Sequence, residues 1–184
     1  MEEQTALLAK SEKGKIRLDY LEKGSRRTAL WEPVYDGVIE TIFDGDGVVL
    51  RQLFFKGKEN AKTQPEEFIK ERKIAAKEGQ FSDVRLIGKK CPTCGAESIA
   101  RLAESAGDST RAPIAPIYTC TACGKKCYYL SDEYLDYLVT HNRFLFEEQE
   151  LRELDSNKEK FMSELKEYII RIFASQKIMR IKQV

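Results

Sequence analysis

Two closely matched cysteine pairs lie near the middle of the chain: Cys91-Pro92-Thr93-Cys94-Gly95 and Cys120-Thr121-Ala122-Cys123-Gly124. In each pair, two residues separate the cysteines and a glycine follows. This spacing lets the backbone turn back so that both sulfurs reach one ion at roughly 2.3 Å, and the glycine relaxes the turn. Four sulfurs close a tetrahedral site and leave no position for water. We therefore predict a structural metal site with the ligands Cys91, Cys94, Cys120 and Cys123.

The donor set also limits the identity of the metal. One CxxC pair alone would fit a redox-active dithiol, but two pairs with glycine followers favour a metal. Zinc is the first choice, and an iron–sulfur cluster held by four cysteines is the alternative. We expect one Zn²⁺ that contributes folding free energy. The fifth cysteine, Cys127, is interpreted as a small, partly buried hydrophobic residue and not as a reactive thiol.

The residues around the two pairs predict a three-stranded β-sheet. Residues 98–103 and 114–119 have the composition of strands, residues 104–111 are a polar hairpin tip, and residues 128–130 supply the third strand. The predicted metal ligands lie at the base of this hairpin. The metal would therefore fix the direction in which the hairpin projects.

Residues 89–130 resemble the C-terminal zinc ribbon of the transcript-cleavage elongation factors and the related ribbon of a small RNA polymerase subunit. The shared pattern is CPxCG, about 24 further residues, and CxxCG. Where that family has Ser-Ala-Asp-Glu-Pro, this chain has Ser109-Thr110-Arg111-Ala112-Pro113. The family's acidic pair holds a catalytic magnesium ion in the polymerase. Arginine has only hydrogen-bond donors and cannot ligate a hard cation, so the resemblance implies binding or blocking without transcript cleavage.

The distribution of charge points to a contact surface on this central segment. The chain of 184 residues has a formal net charge of only +1, but residues 85–126 contain 7 basic and 3 acidic side chains. An excess of this kind fits either an ordinary solvated face or a surface for phosphate or an acidic protein. For the second case, the predicted contact residues are Lys89, Lys90, Arg101, Arg111, Lys125 and Lys126.

Residues 1–88 predict a β-rich domain with one helix. Residues 16–21, 34–43 and 48–55 are predicted strands, and the last two form a hairpin through Asp44-Gly45-Asp46-Gly47. That turn lacks the glutamate of a calcium-binding loop. Thr63 is the predicted N-cap of a helix that ends at Gly79. Residues 1–15 are predicted to be irregular, and residues 81–87 to form a strand.

Residues 131–184 predict a C-terminal helical segment. One helix follows the N-cap Ser131, and a second, strongly amphipathic helix follows Asp155-Ser156. The sole histidine, His141, lies within the first of these helices and is interpreted as a structural residue. The predicted fold class is therefore α+β, with domains at 1–88, 89–130 (the zinc ribbon) and 131–184.

The sequence disfavours several classes of function. Charged residues make up 33% and hydrophobic residues 42% of the chain, as in soluble globular proteins. No apolar run approaches the roughly 18 residues of a membrane helix, and no secretory signal is visible, so we expect a cytoplasmic protein. Phosphate-binding loops, nucleophile elbows and paired carboxylates are not recognisable. We expect neither an enzyme nor a small-molecule substrate.

Two hypotheses about function follow. The first is a non-catalytic zinc-ribbon factor that binds nucleic acid or a nucleic-acid-processing complex, with RNA polymerase as the first candidate. The second is a structural or assembly subunit, associated with a ribosome or with replication, that uses the ribbon for protein–protein contact. The tip of the hairpin distinguishes them, because the second requires a protein partner to order it.

Overall fold

The computed structural model describes residues 4–97, 100–102, 117–141 and 146–182, with residues 100–102 described by their backbone alone. These residues fall into two compact units, one up to Arg85 and one from Leu86 onward. The fold is α+β, as predicted: a six-stranded sheet with one helix, and a smaller sheet with three helices. No helix in the described ranges is long and apolar enough to cross a membrane.

The first unit is a six-stranded sheet with the order β5-β4-β3-β2-β1-β6. Its elements are β1 (Gln4–Lys10), β2 (Ile16–Glu22), β3 (Ser25–Val34), β4 (Gly37–Asp44), β5 (Val49–Lys56), helix α1 (Asn60–Glu71) and β6 (Ile74–Glu78). Strands β1 to β5 pair antiparallel in sequence order, and β6 pairs parallel with β1. The chain therefore passes from one edge of the sheet to the other through α1.

The predicted turn at Asp44 is present and its side chain explains why it forms. The Asp44 Oδ1 atom accepts the backbone N–H groups of Asp46 (2.9 Å) and Val48 (3.0 Å). Gly47 supplies the positive φ of 79° that the turn requires. Short polar side chains that bond to the following amides are a general device for closing turns. The Asp44 carboxylate is thus engaged with the backbone of its own turn.

Helix α1 covers one face of the sheet through Phe68. The Phe68 ring meets Tyr20 and Trp31 edge-on, with centroid distances of 5.3 and 5.2 Å. Edge-to-face pairs of this kind add about 0.5–1.5 kcal/mol to the burial of their apolar area. The core on this face is buried and apolar: Ala6, Leu18, Tyr20, Ala29, Trp31, Val38, Ile42, Phe68 and Ile74.

Three local predictions for this unit are wrong. Residues 4–10 form strand β1, since pairing with two neighbouring strands orders a segment whose own sequence is aperiodic. Helix α1 lies earlier than predicted, at Asn60–Glu71, because Lys73 adopts φ 51° and redirects the chain into β6. Residues 81–87 form no strand; the buried Val84 and Leu86 gave that segment its strand-like composition.

The second unit contains a four-stranded sheet with the order β10-β9-β8-β7. Its strands are β7 (Ala100–Leu102), β8 (Ile117–Cys120), β9 (Lys126–Tyr128) and β10 (Met179–Arg180). The first three are antiparallel neighbours, which confirms the predicted three strands, but the third lies two residues earlier than the predicted 128–130. Strand β10 adds a parallel fourth strand. The ribbon and the C-terminal helices therefore belong to one compact unit, and the predicted boundary at residue 130 lies inside it.

The helices of this unit are α2 (Asp132–His141), α3 (Glu148–Ser156) and α4 (Lys158–Ser175). Ser131 caps α2 as predicted, since its Oγ accepts the Tyr134 N–H at 3.1 Å. The predicted start of the last helix is wrong: Asp155 and Ser156 end α3, and Asn157 caps α4 by accepting the Lys160 N–H at 3.2 Å. The apolar face of α4 meets β9, where Phe173 stacks on Tyr128 with ring centroids 4.6 Å apart.

Candidate metal centre

Each cysteine pair forms a turn, and the two turns have the same hydrogen bonds. The N–H of Cys91 donates to the Ala96 carbonyl (2.9 Å) and that of Gly95 to the Cys91 carbonyl (2.9 Å). In the second turn, the N–H of Cys120 donates to the Lys125 carbonyl (3.0 Å) and that of Gly124 to the Cys120 carbonyl (2.8 Å).

The glycines that follow the two cysteine pairs also have matching backbone conformations. Gly95 and Gly124 adopt φ values of 76° and 74°, in the left-handed region that favours glycine. The bond from the Cys91 or Cys120 amide closes each turn two residues beyond the second cysteine. The spacing and the glycine therefore do what the sequence predicted: they turn both sulfurs of each pair to the same side.

The four sulfurs of the pairs converge on one point. Cys91 Sγ lies 3.7 Å from Cys123 Sγ, and Cys94 Sγ lies 3.7 Å from Cys120 Sγ; all four lie within 4.8 Å of one another. A tetrahedron with metal–sulfur bonds of roughly 2.3 Å has edges of about 3.8 Å. A disulfide would instead bring two sulfurs to about 2.05 Å, and all five cysteines are free. This cluster matches the ligand shell of a single metal ion.

The supporting elements differ between the two turns. The second turn is the β8–β9 connection, with Cys120 as the last residue of β8. The first turn is closed by an isolated antiparallel bridge between Lys90 and Glu97. Cys91 and Cys120 are buried, whereas Cys94 and Cys123 lie nearer the surface. The cluster therefore lies at one end of β8 and β9, the two central strands of the small sheet.

The thiols do not ionise independently. Burial opposes ionisation of Cys91, but the N–H groups of Cys94 and Thr93 and the adjacent thiols lower its pKa to about 7. The Ala96 N–H acts in the same favourable sense on Cys94, yet desolvation and the three neighbouring sulfurs raise its pKa to about 11. Neighbouring negative charges disfavour one another. A bound cation would remove this conflict and stabilise all four thiolates.

Cys127 is not part of this cluster. Its side chain is buried in β9, and its Sγ lies 3.8 Å from the Tyr118 carbonyl, to which the thiol donates. Burial raises the pKa of Cys127 to about 12. A thiol of this kind is inert at neutral pH, which agrees with its interpretation as a small hydrophobic residue.

The predicted contact residues occupy different environments. Lys89 lies over the Tyr129 ring, with Nζ 5.0 Å from the centroid, and Lys90 pairs with Glu97 at 3.6 Å. Lys125 and Lys126 are exposed and directly follow the second turn.

Strand register relates two of these positions, because Arg101 and Lys126 are both partners of Thr119. Arg111 lies outside the described residues. The lysine pairs 89–90 and 125–126 thus adjoin the first and second cysteine turns, which we call the metal turns.

Two supporting contacts were not predicted from the sequence. The Thr93 hydroxyl donates to Met179 Sδ at 3.6 Å, and the Ile181 N–H donates to the Tyr128 carbonyl at 2.8 Å. Both tie the C-terminal end of the chain to the ribbon. A separation of 86 residues between Thr93 and Met179 leaves no local sequence signal for such a contact.

His141 lies at the end of α2 and contacts Tyr137, with ring centroids 4.4 Å apart. Among the described residues, the four-cysteine cluster is the only group of three or more potential metal ligands.

Comparison of the chain with protein-family models, with curated proteins and with solved structures finds no match.

Proposed function

We propose that this chain is a zinc-ribbon protein in which Cys91, Cys94, Cys120 and Cys123 hold one structural Zn²⁺. The observation that carries the proposal is the pair of equivalent turns with sulfur–sulfur distances of 3.7 Å. Zinc suits an all-sulfur tetrahedral set, and such a closed site supplies folding free energy. An iron–sulfur cluster would place the thiolates on different iron atoms, for which sulfurs this close together are a poorer match.

Elemental analysis of the purified full chain tests the metal. We expect one zinc per chain, lost in Cys94→Ser and retained in the matched control Cys127→Ala, because Cys127 lies outside the cluster. Iron with visible absorbance would favour the alternative cofactor. A chain that folds and binds neither metal would refute the site.

We further propose that the ribbon is a non-catalytic module that contacts nucleic acid within a nucleic-acid-processing complex, with RNA polymerase as the first candidate. Support comes from the lysines on both sides of the metal turns and from the resemblance of residues 89–130 to polymerase-associated ribbons. Arg111 and Ala112 stand where those factors carry their acidic pair, and this favours binding or blocking over cleavage.

The salt dependence of nucleic-acid binding tests this function. Each phosphate contact contributes about 0.9 to the slope of log affinity against log salt. We expect Lys125→Gln and Lys126→Gln each to reduce that slope by about 0.9. Lys160→Gln is the matched control, because Lys160 lies roughly 20 Å along the α4 axis from Phe173, the residue that contacts β9.

An affinity for both RNA and DNA that ignores salt, or equal effects of Lys160→Gln and Lys125→Gln, would contradict the nucleic-acid function. If RNA polymerase subunits co-purify with the wild-type chain, and less of them with Lys125→Gln, the first candidate partner is supported. Retrieval of other nucleic-acid-processing subunits would assign a different complex.

One observation favours the second candidate, a structural or assembly subunit. Lys89 and Lys90 already have partners within the unit, Tyr129 and Glu97, so they are less available for phosphate. Under this function the ribbon contacts protein and the remaining lysines maintain solubility. Stable association with a protein partner, together with no binding to free RNA or DNA, would support this function.

A further inference from the structure

Three arginines gather on the α1 side of the six-stranded sheet, in the unit that does not contain the metal ligands. We call Arg27, Arg51 and Arg72 the arginine cluster. Arg27 is the register partner of Tyr20, and Arg51 is the partner of Ile42. Tyr20 and Ile42 both belong to the core beneath α1, and register partners share a face. Arg27 and Arg51 therefore emerge beside that core.

Arg72 reaches the same place from the end of α1. Its guanidinium carbon lies 3.5 Å from the centroid of the Phe68 ring, and that ring contacts Tyr20 at 5.3 Å. Tyr20 is itself the register partner of Arg27, so the two side chains lie next to each other on this face. The Glu22 carboxylate, which pairs with Arg27 and Arg51, is a further neighbour of this group.

Two buried donors at this point have no hydrogen-bond partner among the described residues. They are the Tyr20 hydroxyl, on a side chain only 4% exposed, and the Nε atom of Arg27. An unpaired buried polar group costs about 1–3 kcal/mol. Two such donors side by side, next to further guanidinium groups, indicate a missing acceptor.

The acidic groups nearby do not supply that acceptor. Glu22 forms ion pairs with Arg27 Nε at 3.6 Å and with Arg51 at 3.9 Å, and Glu71 forms one with Arg72 at 3.9 Å. All three distances are longer than those of hydrogen bonds. Two carboxyl groups of β4 have hydrogen bonds of their own. Glu40 accepts the Trp31 Nε1–H at 2.8 Å, and Asp44, opposite Arg27, accepts the amides of its own turn.

We propose that the arginine cluster and the Tyr20 hydroxyl bind a phosphate group. A phosphate offers several strong acceptor oxygens and about two negative charges, and guanidinium forks match its geometry. The arginines keep 22%, 36% and 33% of their side-chain area exposed, so a ligand reaches them from solvent. The phosphate is either free inorganic phosphate or the terminal group of a mononucleotide. This site does not depend on the function proposed for the ribbon.

Calorimetric titration of the full zinc-loaded chain tests the site, with inorganic phosphate in one arm and a nucleoside monophosphate in the other, at constant ionic strength. The arm with the tighter binding identifies the source of the phosphate. Arg27→Gln should weaken binding at least about tenfold. Arg26→Gln is the matched control, because it removes the same charge from the next residue of β3, whose side chain points to the opposite face.

Tyr20→Phe separates ligand binding from a structural role. It removes a hydroxyl that has no hydrogen-bond partner among the described residues, so thermal stability without phosphate should not fall, while phosphate affinity should fall roughly three- to tenfold. Saturable binding that Arg27→Gln and Tyr20→Phe weaken and Arg26→Gln spares supports the proposal. Absence of saturable binding in both arms, or equal weakening by Arg26→Gln, overturns it.

Discussion

Replacing Gly95 or Gly124 by alanine adds one methyl group to a metal turn and strains the backbone without creating a steric clash. Their φ values are 76° and 74°, and an added Cβ would meet no atom within 4 Å at either position. The cost is therefore the strain of a left-handed conformation, about 1–2 kcal/mol for an alanine. Because metal binding and folding of such a site are coupled, this cost should weaken zinc affinity roughly 5- to 30-fold.

Competition with a chromophoric chelator measures the zinc affinity of each variant at fixed pH. Gly24→Ala is the matched control: Gly24 has φ 80° and also meets nothing within 4 Å, but it lies in the β2–β3 turn of the other unit. It should destabilise its own unit by a similar amount and leave zinc affinity unchanged. The two metal-turn variants should behave alike, because their hydrogen bonds are equivalent.

Two results would refute this reasoning. If Gly24→Ala weakened zinc binding as much as Gly95→Ala, the effect would reflect global stability and not the geometry of the metal turns. If Gly95→Ala and Gly124→Ala differed clearly, the two turns would not carry equal shares of the site.

Three further predictions concern the packing around the sheets. Phe173→Ala should cost about 3–5 kcal/mol in denaturant unfolding, because it removes the ring stacked on Tyr128; a cost below about 1 kcal/mol would contradict the assigned contact. Asn157→Ala should cost about 1 kcal/mol through loss of the α4 cap, and Asn157→Asp should restore most of it. Burial raises the pKa of Glu40 above 4.5, so its contribution to stability is complete below about pH 4.5 and is lost as pH rises through the folded pKa. Glu40→Gln should flatten that decline when Trp31 fluorescence follows unfolding, and an unchanged pH profile would show that Glu40 is not the group responsible.

Local signals predicted the parts of the fold that local chemistry controls. The turn at Asp44 and the cap at Ser131 depend on side chains that bond to amides two to four residues away. Signals of that range are visible in the sequence. The predicted end of α1 was too late because Ile74 continues the apolar spacing of the helix. In the structure, Lys73 turns the chain before that residue, and Ile74 begins β6.

Such local signals could not predict which distant segments pair with one another. The parallel partnership of β1 with β6 joins Gln4 to Ile74, and that of β10 with β9 joins Met179 to Cys127. Strand β10 is two residues long, too short to carry a periodic pattern. The arginine cluster could not be predicted either, since its members lie on β3, on β5 and after α1. The sheet register and the packing of α1 bring them together.

The sequence by itself determined the two cysteine turns, because the spacing of Cys91 and Cys94, and of Cys120 and Cys123, specifies each turn within six residues. The tertiary structure decided that the two turns close on one another, with sulfurs 3.7 Å apart, and that α4 and β10 complete the ribbon. A turn is set by local dihedral angles and hydrogen bonds, whereas the meeting of two turns depends on strand pairing and side-chain packing between segments far apart in the chain.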